Sequence, residues 1–124
     1  MPRSVIVLSS KPNLFDHVRR TLGADPRFVD AGDALHCDGF AAPLSNIYPV
    51  DAVAAEWVDW DGAAGDMPNP RTMTHLIFEC RSPDWVAEVG RVLAERTDAP
   101  IWFFDSADVA WPADRVDPMR VALA

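Results

Sequence analysis

The sequence predicts an α+β fold in which a mainly antiparallel sheet carries two helices on one face, and three observations lead there. An apolar run of strand length is followed twice by a stretch with helical spacing of apolar residues. The two occurrences match one another without gaps at several positions. Each then runs into a strand, a tight Asp-x-x-Asp turn and another strand, so the halves 4–38 and 75–112 both read as β-α-β-β units. A pseudo-duplicated, ferredoxin-like or related arrangement satisfies this pattern, because one sheet can bury both apolar helix faces. The pattern leaves open whether the halves share one continuous sheet or form two facing ones.

Residues 5–8, Val-Ile-Val-Leu, make the first buried strand. The following helix is expected to begin with Ser10 or Lys11 as its cap and Pro12 in the first turn, where a missing N–H costs nothing. Leu14, Phe15, Val18 and Leu22 then share a face, and Gly23 supplies a left-handed stop. In the second copy His75, Leu76, Ile77 and Phe78 form the strand and Ser82-Pro83-Asp84 starts the helix. Its buried face is Trp85, Val86, Val89, Val92 and Leu93. Superposed, the copies match Ile6 with Ile77, Pro12 with Pro83, Val18 with Val89, Arg20 with Arg91 and Leu22 with Leu93. Past a short insertion, 28–34 falls over 103–109. Asp30 and Asp33, like Asp105 and Asp108, occupy turns, where Asp bonds the backbone two residues on and Gly32 tolerates positive φ.

The connecting region 39–74 is too long for a plain loop and should add strands. Residues 44–50 are one candidate and 56–60 another, although 51–55 could instead cap and start a short helix, and 62–70 is a loop by composition. Trp111-Pro112 suits a strand end or sheet edge, and 119–123 suits a last short edge strand.

The 124 residues fit a single domain, 1–124, and 49% apolar with 24% charged residues is ordinary globular usage. No signal-peptide pattern opens the chain and no apolar run is long enough for a membrane span, so a cytoplasmic protein is expected. In that setting Cys37 and Cys80 stay reduced. Net charge is −8, with 19 acidic and 11 basic residues. Phosphate backbones are bound by Lys and Arg, so nucleic acid is a poor partner and a basic protein a better one.

The chemistry-bearing residues are scattered. His36-Cys37 is the nearest approach to a metal pair, but strand neighbours face opposite ways, so no metal site is expected. No glycine-rich phosphate loop or dinucleotide fingerprint is present, and no cofactor is expected. Cys80, His75 and Glu79, clustered on one strand, suggest a small enzyme or ligand-binding domain with a thiol/His site as an alternative function. The most unusual stretch is 50–70, which carries Asp51, Glu56, Asp59, Asp61 and Asp66 with no Lys, Arg or His within 51–69, together with Trp57 and Trp60. Its plainer interpretation is a tryptophan in the core with a solvated acidic rim. The functional one is a non-enzymatic protein-binding domain, of the immunity or inhibitor kind, that presents Glu56, Trp57, Asp59, Trp60 and Asp61 to a basic toxin or nuclease. An assembly subunit pairing through a sheet edge, as a homodimer, is the third reading.

Overall fold

The computed structural model describes residues 3–50 and 70–123. The apolar runs become strands β1 (Ser4–Ser9), β2 (Val29–Asp30), β3 (Leu35–Cys37), β4 (Ser45–Pro49), β5 (Thr74–Cys80), β6 (Ile101–Phe104) and β7 (Ala110–Pro112), and the amphipathic stretches become α1 (Leu14–Leu22) and α2 (Pro83–Glu95). Among the described residues the strands form one continuous seven-stranded sheet in the order β2-β3-β4-β5-β1-β6-β7. Every neighbouring pair is antiparallel. The two longest strands, β1 and β5, lie side by side at the centre, with Ile6 opposite Ile77.

Strand alternation assigns the two faces. Val5, Val7, Leu35, Ile47, Leu76, Phe78, Ile101 and Phe103 share one buried cluster with Leu14, Val18 and Leu22 of α1 and with Trp85, Val86, Val89 and Leu93 of α2. Both helices therefore cover the same face. Phe78 and Phe103 meet edge to face at 6.0 Å between ring centres near the middle of that layer. The other face carries a smaller cluster of Leu8, Met73 and Ala110, against which Ile6, Trp102 and Phe104 pack.

At nine residues α1 is too short to persist alone, so burial of Leu14, Val18 and Leu22 holds it, at about 1.5–3 kcal/mol for each side chain. Its ends differ from expectation. The helix starts at Leu14 rather than at Pro12, capped by Asn13 in a left-handed conformation. Asn tolerates that region better than other non-glycine residues, which lets the chain turn out of β1 before the helix begins. Gly23 is right-handed, not left-handed. What it supplies is the missing Cβ, which would collide with the Arg19 carbonyl oxygen. In α2 the predicted start holds: the Ser82 hydroxyl accepts from Trp85 N at 3.3 Å, with Pro83 in the first turn.

Asp turns close both hairpins. Asp30 Oδ1 accepts from Gly32 N at 2.8 Å, with Gly32 at φ +91°, and Asp105 Oδ1 accepts from Ala107 N at 2.9 Å. The hairpins hold different places, however. The β6–β7 hairpin adjoins β1, whereas β2 and β3 lie at the opposite margin with β4 between them and the centre. Residues 119–123 are not a strand. This segment is tied by hydrogen bonds to one turn, with Ala122 N donating to Asp105 Oδ2 at 3.0 Å and Ser106 N donating to the Ala122 carbonyl at 3.1 Å, so no ladder is needed. The edge strands are short, two residues in β2 and three in β7 with Pro112 last, a combination that discourages edge-to-edge pairing.

Candidate functional site

The acid-rich residues Glu56, Trp57, Asp59, Trp60 and Asp61 lie outside the described residues, as do the alternative strand and helix placed over 51–60. The structure does describe how the segment is anchored. On one side Pro49 pairs with Leu76 and Val50 N donates to the His75 carbonyl at 3.4 Å. On the other, Pro70 is buried and opens a single 3-10 turn (Pro70–Thr72), Met73 N donates to the Pro70 carbonyl at 3.1 Å, and Thr74 Oγ1 donates to the Lys11 carbonyl at 3.2 Å. Both ends thus leave from neighbouring antiparallel strands at one end of the sheet. Beside them Lys11 Nζ is held by Asp98 at 2.9 Å.

The thiol, imidazole and carboxylate of β5 are not assembled into one site. Cys80 points into the helix-side core, and His75 and Glu79, an odd number of residues away, point to the opposite face. Glu79 lies there beside Tyr48 of β4; burial pushes the Tyr48 phenol up, and the neighbouring carboxylate adds to the rise. His36 bonds Asn46 at 2.8 Å on that same face, and Cys37 beside it lies in the core, so this pair is divided as well. Among the described residues no three His, Cys, Asp or Glu side chains are grouped to hold a metal.

What register does bring together is a row of Cys37, Ser45 and Cys80 across β3, β4 and β5. Trp85 Nε1 donates to Ser45 Oγ at 3.2 Å, and Ser45 Oγ donates to the Pro43 carbonyl at 3.2 Å. Ser82 N donates to Cys80 Sγ at 3.3 Å. Trp85 is held from its other side by Phe28, stacked at 5.8 Å, and by the Arg27 guanidinium 4.7 Å above the ring. Sequence reading finds Trp85 as a core residue but not its pairing with Ser45, because no local signal states which strand lies beneath the helix.

No protein-family model, curated protein or solved structure matches this chain.

The geometry around the two cysteines is structural in character. Both are free and buried, on strands separated by β4, which places their Cα atoms roughly 9–10 Å apart, beyond disulfide reach. Burial pushes both thiols above their ordinary range. A thiol-directed aromatic disulfide reagent near pH 8 is therefore expected to react at least about tenfold more slowly with the native protein than with the urea-unfolded chain, at both cysteines. Fast labelling of Cys80 in the native state would contradict this. Among the described residues no helix is long and apolar enough to cross a membrane.

Proposed function

We propose that this chain is a non-enzymatic protein-binding domain whose acidic, tryptophan-bearing segment masks a basic partner, as an immunity or inhibitor protein does against a basic toxin or nuclease. The distribution of charge carries this reading. Residues 51–69 hold five of the 19 acidic residues and none of the 11 basic ones, which leaves 14 acids against 11 bases, or −3, for all the rest. A one-signed field on so short a stretch steers a positively charged partner toward it, and Trp57 and Trp60 supply the large aromatic area typical of binding hot spots. Anchoring at both ends adds support, since a segment closed on neighbouring strands has less freedom to lose on binding than a free tail. The separation of Cys80 from His75 and Glu79 weighs against the alternative of a thiol/His enzyme or ligand site. A reducing, cytoplasmic setting belongs to the same reading and is supported by two buried thiols out of reach of one another.

We also infer that β1-α1 and β5-α2 are copies of one unit, the core of a ferredoxin-like, pseudo-duplicated β-α-β-β plan. In support, Ile6 and Ile77, matched by sequence, oppose one another in the central strand pair, where a local twofold axis would run. The two hairpins differ in position, so the proposed repeat is confined to the strand and helix.

Capture of the native partner from cell extract, followed by binding kinetics, tests the function. Asp59→Asn with Asp61→Asn is expected to lower the association rate about tenfold at low salt, with the difference shrinking as salt rises. Trp60→Ala is expected to act on dissociation instead, raising it by about 30-fold for a hot-spot loss near 2 kcal/mol. Recovery of no basic protein, or unchanged kinetics in both variants with folding intact, refutes the reading.

A further inference from the structure

The start of α1 is held by contacts from elsewhere in the chain. Asn13, at its cap position, makes no side-chain hydrogen bond to the helix, in contrast to Ser82 in α2. Two polar contacts instead join this end of α1 to the loop between α2 and β6. His17 Nε2 lies 2.8 Å from Thr97 Oγ1, a hydrogen bond that either partner can donate, and Lys11 Nζ donates to Asp98 Oδ1 at 2.9 Å. The Lys11 backbone is itself pinned on both sides. Its N–H donates to Ser9 Oγ at 3.2 Å, and its carbonyl accepts from Thr74 Oγ1 at 3.2 Å.

The surroundings of the half-buried His17 ring oppose a positive charge. Burial acts most strongly, followed by repulsion from Lys11, in the segment before α1, and from Arg20, one turn further along the helix. Asp98 and the Arg96 carbonyl, both beyond the end of α2, favour charge on the ring but are outweighed, so His17 is held below the ordinary imidazole value of 6.5. Its place in the first turn of α1 works the same way, because the N-terminal end of a helix dipole disfavours a cation.

An unfolded chain gathers none of these groups around the ring and takes up the proton more readily. The stabilisation that comes with neutral His17 is therefore complete above about pH 6.5 and is lost as pH falls through the lower value of the folded chain. Asp98, held below the ordinary carboxylate range by the hydrogen bond from Lys11, stays ionised over that window. The change falls on the imidazole.

We propose that the His17–Thr97 contact is an acid-released latch: a proton on the His17 ring, repelled by Lys11 and Arg20, frees α1 from the loop before β6 while the sheet and α2 stay folded. A nine-residue helix without a side-chain cap depends on such contacts, and the central strands do not.

Two measurements on the full chain test this. Proton NMR follows the imidazole titration in the native and the urea-unfolded chain, and amide exchange is compared near pH 7 and at about pH 5.5. His17 is expected to titrate lower in the native chain, and Lys11→Gln with Arg20→Gln to move it upward. Protection of the α1 amides is expected to fall at least about threefold at the lower pH, with that of β1 and β5 unchanged. His17→Gln keeps a polar partner for Thr97 without a titrating ring and should abolish the fall. Native His17 titrating at or above its unfolded value, or unmoved by the double replacement, overturns the proposal. So does an α1 whose protection holds steady through the titration of His17, or falls equally in His17→Gln.

Discussion

Asp105→Asn is expected to destabilise the protein by about 3–5 kcal/mol, out of proportion to the loss of one charge. Asp105 is 4% exposed, and its two oxygens serve four donors. Oδ1 accepts from Ala107 N at 2.9 Å and Val109 N at 3.0 Å; Oδ2 accepts from Trp111 Nε1 at 2.9 Å and Ala122 N at 3.0 Å. Asn can present only one carbonyl oxygen. Whichever way its amide is turned, an NH₂ group then faces two N–H donors, and each donor left unsatisfied costs about 1–3 kcal/mol. The same carboxylate closes the β6–β7 turn, fixes the Trp111 indole and ties down the segment leading to Ala122, so the loss should be felt in all three places. Urea unfolding gives the free energy, and limited proteolysis near residue 120 should speed up. Asp108→Asn in the same turn is the control: Asp108 is exposed at φ +62°, a conformation Asn accepts, and a change within about 0.5 kcal/mol is expected. Equal stability of the two variants would show that Asp105 is not the tie described here.

Gly90→Ala should reverse the usual sign of that substitution in a helix. In the interior of α2, Ala is favoured over Gly by about 1 kcal/mol from propensity alone. Gly90, however, lies where the helix touches the backbone of a 3-10 turn (Ala113–Arg115). An added Cβ would collide with the Ala113 carbonyl oxygen and come within 3.1 Å of its carbon and 3.3 Å of the Phe103 ring. Backbone cannot rotate away as a side chain can, so the turn and β6 must shift together. With overpacking costing about 1–3 kcal/mol or more, the clash exceeds the propensity gain, and a net loss of about 2 kcal/mol is expected in urea unfolding. Arg91→Ala, one position on and exposed, should change stability by less than about 0.5 kcal/mol. A Gly90→Ala protein as stable as the parent would mean that α2 does not approach the turn this closely.

Local features were legible in the sequence wherever a single stretch of chain decides them. The Ser82-Pro83 helix start, the Asp30 and Asp105 turns and the buried stripes of both helices all depend on neighbours within a few residues. Misreadings arose where a local rule had a competitor. Pro12 is acceptable in a first helical turn, yet the chain spends it in a turn before Asn13. Gly23 is acceptable as a left-handed stop, yet its use is steric. Residues 119–123 have the apolar content of an edge strand, yet the Asp105 carboxylate captures Ala122 first. For the candidate sites the limit was different. The β5 residues Cys80, His75 and Glu79 are close in sequence, and the pleat sends the thiol to one face and the imidazole and carboxylate to the other.

By itself, the amino-acid order determined the kinds of element, the faces they bury and the concentration of acid in 51–69, because periodicity, capping and charge are properties of neighbouring residues. Tertiary structure alone decided that one sheet forms rather than two, that β4 separates the first hairpin from the centre, and that Ser45 meets Trp85 and Asp105 meets Ala122. Those outcomes depend on which distant strands pair and in what register. Many orders satisfy the same apolar alternation, and only the joint packing of both helices on one face selects among them.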